Sequence, residues 1–164
     1  ALGLSYPGGP IIDKLAKTGD KSAIDFPRVY LEPDSYDFSF SGIKTAVLNY
    51  LNQMQQKGQE IVVEDVAASF QEAVIEVLVE KAIKLAKERN SDKIVLAGGV
   101  AANEGLRNML QARGKEENIE ILYPPTILCT DNAAMIGSAA YFNYVNGNIS
   151  DYHLNVEPNL QLKR

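Results

Sequence analysis

The stretch Ile94-Val-Leu-Ala-Gly-Gly-Val-Ala-Ala-Asn-Glu-Gly-Leu-Arg107 decides how the rest of the chain is read. Ile94, Val95 and Leu96 form a short apolar run of the kind that fills a buried strand. The run breaks at Gly98-Gly99, and a helical pattern starts near Ala101 and reaches about Arg113. Leu106, Met109 and Leu110 make its apolar stripe. A strand that ends in glycines and feeds a helix N-terminus is a candidate anion site, because free backbone N–H groups and the helix dipole both favour negative charge there. Glycines also let a ligand approach the main chain closely. A tight turn that binds nothing is the competing reading, and the turn alone does not choose between them.

Downstream, Ile119-Glu-Ile-Leu-Tyr123 alternates as a second strand and stops at Pro124-Pro125. Gly114 and the polar Lys115 to Asn118 read as the turn before it. Strand, helix, strand at this length is a parallel βαβ unit. Thr130-Asp131-Asn132 then caps a helix from Ala133 to about Val145. In a parallel sheet the turns after both strands lie at one edge, where open α/β folds bind ligands. Asn103, Glu104 and Asp131 are therefore candidates for one crevice. The plainer structural readings are Asp131 as an N-cap and Asn103 as a local cap partner.

Upstream the chain reads as helices. Pro7-Gly8-Gly9-Pro10 is a turn into a short helix, Ile11 to Lys17, with Asp13 in its first turn. Residues 21–36 read as loop with a short strand at Val29 to Leu31. Ser39 or Ser41 is the expected N-cap of a helix to about Gln56. The longest helix opens at Val62 to Asp65 and runs to about Arg89, with Val66, Phe70, Val74, Val77, Leu78, Ala82 and Leu85 at helical spacing. Asn90 is its expected cap. Tyr6, Phe38 and Phe40 read as core residues rather than as a base-stacking platform. The organisation is one piece: a mainly helical segment 1–92, a strand–helix–strand–helix core 93–147 and a surface tail 148–164. The fold class is α/β, mostly helical, with a small parallel sheet.

Composition narrows the function. The 164 residues are 46% hydrophobic and 23% charged with a net charge of −5, so no basic field holds nucleic acid unaided. With Cys129 the sole cysteine, no internal disulfide forms; with His153 the sole histidine, no multi-histidine metal site forms from this chain. No apolar run approaches the ~20 residues of a membrane span. A cytoplasmic location is expected. Cys129 lacks an assignable partner histidine and reads as a small buried hydrophobe.

Four stretches in one order carry a resemblance: Tyr6-Pro-Gly-Gly-Pro10 with Asp13, Asp37-Phe-Ser-Phe-Ser-Gly-Ile-Lys44, Ala97-Gly-Gly-Val-Ala-Ala-Asn103, and Cys129-Thr-Asp-Asn-Ala-Ala-Met135. Together they resemble the C-terminal part of the tRNA threonylcarbamoyladenosine transferase family (TsaD, formerly called O-sialoglycoprotein endopeptidase or glycoprotease). The resemblance implies an incomplete second domain of an actin-like ATPase (RNase H-like) fold, with a helical insertion beside the small sheet. It implies transfer of threonylcarbamoyl from threonylcarbamoyl-adenylate to the exocyclic amine of the adenosine next to the tRNA anticodon. By that pattern Gly9, Asp13 and Asn103 line the substrate pocket, Gly98-Gly99 lies against the nucleotide, and Asp131 is a ligand of one divalent metal ion, iron or zinc. The partners implied are tRNA and accessory proteins of the pathway, with no membrane.

The chain departs from the family in what it lacks. The two histidines of a His-x-x-x-His helix, a Ser-Gly-Gly loop and an upstream aspartate that holds the ligand ribose are absent. The expectation is a C-terminal fragment, inactive alone and without its metal, in which no catalytic residue is assignable. An exposed sheet edge leaves self-association open. The alternatives are another actin-like ATPase or sugar kinase domain, and a non-catalytic interaction module. The former peptidase name finds no support, since no His-Glu-x-x-His helix or catalytic triad is present.

Overall fold

In a computed structural model, residues 1–32 and 34–159 are described. They divide into two compact units, Ala1–Cys129 and a second that starts at Thr130. In the first unit the element order is α1 (Gly8–Ala16), α2 (Ser41–Gln56), α3 (Val63–Glu88), β1 (Lys93–Val95), α4 (Glu104–Glu116) and β2 (Glu120–Leu122). The second unit holds α5 (Ala133–Val145), none of whose residues is buried. The fold is α/β, mostly helical, with one two-stranded parallel sheet among the described residues.

α3 organises the first unit. Its 26 residues span about 39 Å at 1.5 Å per residue, long enough to serve two apolar clusters. Its N-terminal half brings Val66 and Ala73 against Ile43 and Leu51 of α2 and against Phe26. Its C-terminal half brings Ile75, Val79 and Ile83 against Leu106 and Leu110 of α4 and against Ile119. The stripe expected from the sequence is only part of what is covered. Ala67, Ala68, Ser69 and Ala73 are also sealed, so this half is buried nearly all round. Small residues let α1 and the loop after it approach closely. Ser69 accepts from the Ile24 N–H at 3.1 Å and donates to the Asp20 carbonyl at 3.2 Å, which satisfies a buried hydroxyl.

Helix endings follow one rule. α3 closes with Asn90 at φ 51°: its N–H reaches the Lys87 carbonyl and the Ser91 N–H reaches that of Ala86 at 2.8 Å. α4 repeats this with Asn118 at φ 57° and Ile119 bonded to Gly114. These are paired 6→1 and 5→2 bonds that satisfy otherwise orphaned carbonyls. Asn tolerates the left-handed conformation better than most side chains, because its amide bonds locally. Each Asn reverses the chain directly into a strand, so both strands leave their helices alike.

Several expectations are corrected. α1 already starts at Gly8, with the glycines inside its first turn. Val29 to Leu31 is not a strand, because Pro27 precedes it and it finds no ladder partner. Phe40, not a serine, stands at the N-cap of α2; the Ser39 and Ser41 hydroxyls bond each other at 3.0 Å instead. Tyr6 is 95% exposed and Phe38 is exposed, so neither is core. The sheet is covered on one face only: Ile94 and its register partner Ile121 pack on the α3–α4 cluster, while Val95 is 70% exposed.

Gly114 lies inside α4 rather than in the turn, and it is buried. A Cβ there would stand 2.7 Å from the Ile119 carbonyl oxygen and 2.7 Å from Ile121 Cγ1. Gly114→Ala should therefore destabilise by about 1–3 kcal/mol through overpacking, despite the roughly 1 kcal/mol that helix propensity returns. Thermal melts followed at 222 nm would read this as a loss of several degrees; a higher Tm would contradict so close an approach.

Candidate functional site

The glycine bend does not enter the helix as the sequence suggests. Gly98 takes φ 89° and ψ 174°, a region essentially reserved for glycine. A 3-10 turn over Gly99–Ala102 follows, Asn103 is extended, and α4 begins only at Glu104. The helix dipole therefore starts five residues after Gly99, and its first turn is capped from within, since Asn103 Oδ1 accepts from the Leu106 N–H at 2.8 Å. The bend itself is open: a Cβ on Gly98 or Gly99 would meet nothing within 4 Å. Any anion here would meet the open backbone of a bend, not a helix N-terminus.

Three helices bring a second group of candidates together. Asp13 on α1, Gln71 and Glu72 on α3, and Glu104 on α4 line a cavity of about 200 Å³ with Lys17 and Lys21. Asn103 Nδ2 donates to Gln71 Oε1 at 2.8 Å, so its amide joins this cluster while capping α4. Lys17 pairs with Glu104, and Lys21 with Glu72 at 2.7 Å. The hydrogen bond from Lys17 holds the Glu104 carboxyl below its ordinary range, and the same bond raises the Lys17 ammonium. Asp13 Oδ1 is buried with no hydrogen-bond partner among the described residues. Such a group is rare in native structures unless something else satisfies it. Gly9 sits one turn earlier on α1, exposed, with open space around it.

Asp131 belongs to the second unit. It is exposed, and its carboxylate has no hydrogen-bond or ion-pair partner among the described residues. The helix cap is Asn132, which accepts from the Met135 N–H at 3.1 Å, so the N-cap reading of Asp131 is corrected. No group of three His, Cys, Asp or Glu side chains that would hold a metal ion occurs among the described residues. One carboxylate alone cannot hold a metal that needs three or four protein ligands, so Asp131 could at most supply one of them. Cys129 is 2% exposed, as expected of a small buried side chain.

Two residues escaped the sequence reading. Lys81 on α3 is only 6% exposed; its ammonium donates to the Asp37 carbonyl and lies 5.4 Å from the centre of the Phe38 ring. Arg107 in α4 donates through Nε to the Ala101 carbonyl, and through Nη2 to the Pro124 carbonyl and to Cys129 Sγ, each at 3.0 Å. Its guanidinium stacks 4.4 Å from the centre of the Tyr123 ring. A signal for Arg107 was present: a cation near the start of a helix is opposed by the dipole and needs acceptors elsewhere.

Residues 1–138 match the family TsaD: tRNA N6-adenosine threonylcarbamoyltransferase. The chain belongs to this family. A tRNA N6-adenosine threonylcarbamoyltransferase of Clostridioides difficile (strain 630) is 60% identical over 164 residues, 100% of this chain and 48% of that protein. Proteins of the same name from Clostridium perfringens (strain 13) and Clostridium botulinum (strain Hall) are 59% and 57% identical over 162 residues, again 99% of this chain and 48% of theirs. The chain spans about half the length of the curated relatives it matches. TsaD membership sets aside the sugar-kinase alternative. No helix of the described residues is long and apolar enough to cross a membrane.

Asn103→Ala should lose both the cap and the Gln71 bond, at a cost of about 1–2 kcal/mol in urea unfolding. Asn103→Asp keeps the acceptor and should lose less; equal losses would refute the cap. A depressed carboxyl contributes stability above its unfolded pKa and loses it as pH falls through the lower folded value. The tether from α1 to α4 should therefore weaken on the acid side, as the pH falls below the ordinary glutamate range. Corrected amide exchange of residues 8–16 would report this, and Glu104→Gln should remove the response.

Proposed function

We propose that the whole protein transfers threonylcarbamoyl from threonylcarbamoyl-adenylate to the exocyclic amine of the adenosine next to the anticodon of a tRNA. This chain contributes part of its substrate pocket, within the second domain of an actin-like fold. The observation that carries this reading is 60% identity over 164 residues with a protein of that name, of which this chain spans 48%. Two features of the molecule support it. Asp13 Oδ1 is a buried acceptor without a donor, suited to a ligand hydroxyl or amine. A Cβ on Gly98 or Gly99 would meet nothing within 4 Å, which suits close approach of a ligand to the main chain there.

In this reading Gly9 and Gly98-Gly99 are close-contact backbone, and Asp13 and Asn103 are hydrogen-bonding anchors. Asn103 spends one lone pair on Leu106 and one N–H on Gln71, which leaves one acceptor site and one donor for a ligand. In this assignment these groups bind and orient, and no general base is assigned among them. Asp131 would serve the whole enzyme as one ligand of a divalent iron or zinc ion. Such an ion supplies Lewis-acid polarisation of a carbonyl, and its remaining ligands would come from outside this chain. The tRNA, and accessory proteins of the pathway, are the partners proposed for the whole enzyme, in the cytoplasm.

The 164-residue chain alone should therefore show no turnover when assayed with threonylcarbamoyl-adenylate and tRNA, while the full-length protein does. Turnover by the isolated chain near the full-length rate would overturn the claim of an incomplete centre. A full-length protein that binds the adenylate equally well after Asp13→Ala would overturn the pocket assignment.

A further inference from the structure

Arg107 joins the stretches that follow the two strands. Its half-buried guanidinium, in the second turn of α4, reaches two separate stretches at once. One is the 3-10 turn after the glycine bend, through the Ala101 carbonyl. The other is the stretch that follows β2, through the Pro124 carbonyl and Cys129 Sγ. Tyr123 closes over its face, and the Tyr123 hydroxyl is held in turn by Gln111 at 2.7 Å. The Cys129 thiol has the Pro124 and Pro125 carbonyls within 3.8 and 3.6 Å, so the sulfur accepts from the arginine while its own proton points back to the loop. A fork with fixed N–H directions satisfies all three acceptors at once; an ammonium on a flexible stem does not hold them in that pattern. A half-buried cation also needs those acceptors, since burying a charge without partners is costly.

We propose that Arg107 is a positioning residue that locks the loops after β1 and β2 into one fixed arrangement, so that the Gly98-Gly99 bend keeps the shape a nucleotide meets. The proposal rests on the pocket reading given above for its last clause only. It assigns Cys129 a part as well, as an acceptor in this clamp rather than as a nucleophile.

The test compares the unsubstituted 164-residue chain with Arg107→Lys and Arg107→Ala, at a temperature where circular dichroism shows all three folded. Corrected amide exchange should rise about tenfold at residues 98–103 and 126–129 in both variants, while residues 75–86 of α3 keep their protection. Adenosine 5′-monophosphate, used as the probe in titration calorimetry, should bind about tenfold more weakly to Arg107→Lys, although the charge is kept. If Arg107→Ala does not fold, Arg107→Lys carries the comparison. Wild-type behaviour of the lysine variant would show that charge alone suffices and overturn the clamp. Exchange rising in step through α3 would reduce Arg107 to general support of the fold and overturn it too, as would loosened loops with unchanged affinity for the probe. Failure of the unsubstituted chain to bind the probe would count against the pocket reading instead, and the exchange data would still decide the clamp.

Discussion

Burial of α3 on nearly every side is the constraint on which the first unit depends. A helix so placed must use small residues where neighbours come close and large ones where there is room. Ala67, Ala68, Ser69 and Ala73 give way to Ile75, Val79 and Ile83 along its length. The small-residue half receives α1, the loop after it and α2. The large-residue half receives α4 and the sheet. Because one rigid rod serves both clusters, damage to either is transmitted to the other, and independent melting of the two is not expected. The candidate residues inherit their places from this rod: Gln71 sits where the small-residue half ends, and α1 and α4 meet beside it through Lys17 and Glu104.

Where the sequence was informative, periodicity and stop signals were the reason. The extent of α2 and α3 was legible because Gly58 and Asn90 end them and apolar residues recur along them. The parallel pairing of the two strands followed from strand, helix and strand at short spacing, though their register did not. The errors lie where a long-range contact outvotes a local signal. Gly114 reads as a turn residue, yet it is a helical glycine kept small by the Ile119 carbonyl. Val29 to Leu31 has strand-like residues but no ladder to join.

The site was legible in its residue types and less so in its arrangement. The family resemblance named Asp13 and Asn103 together, and in the fold both lie beside α3, Asp13 in the cavity that Gln71 also lines and Asn103 bonded to Gln71. The bend at Gly98 was visible, but not the 3-10 turn that separates it from α4, since Val100 and Ala101 suit either helix type. Arg107 and Lys81 were missed because a long cation on a helix is usually solvated. Only the acceptors brought by distant segments reveal that these two are not. Asp131 looked like a cap because Thr-Asp-Asn offers three cap residues in a row, and the chain uses the last.

The left-handed asparagines at 90 and 118 have an evolutionary corollary. Each is the single hinge through which a helix hands the chain to a strand, and few of the twenty amino acids occupy that conformation without strain. Substitution there is confined to a narrow alphabet, chiefly glycine and aspartate. Drift among homologues should thus be slower at these two surface-side positions than exposure alone would suggest, for reasons of backbone geometry and not of chemistry.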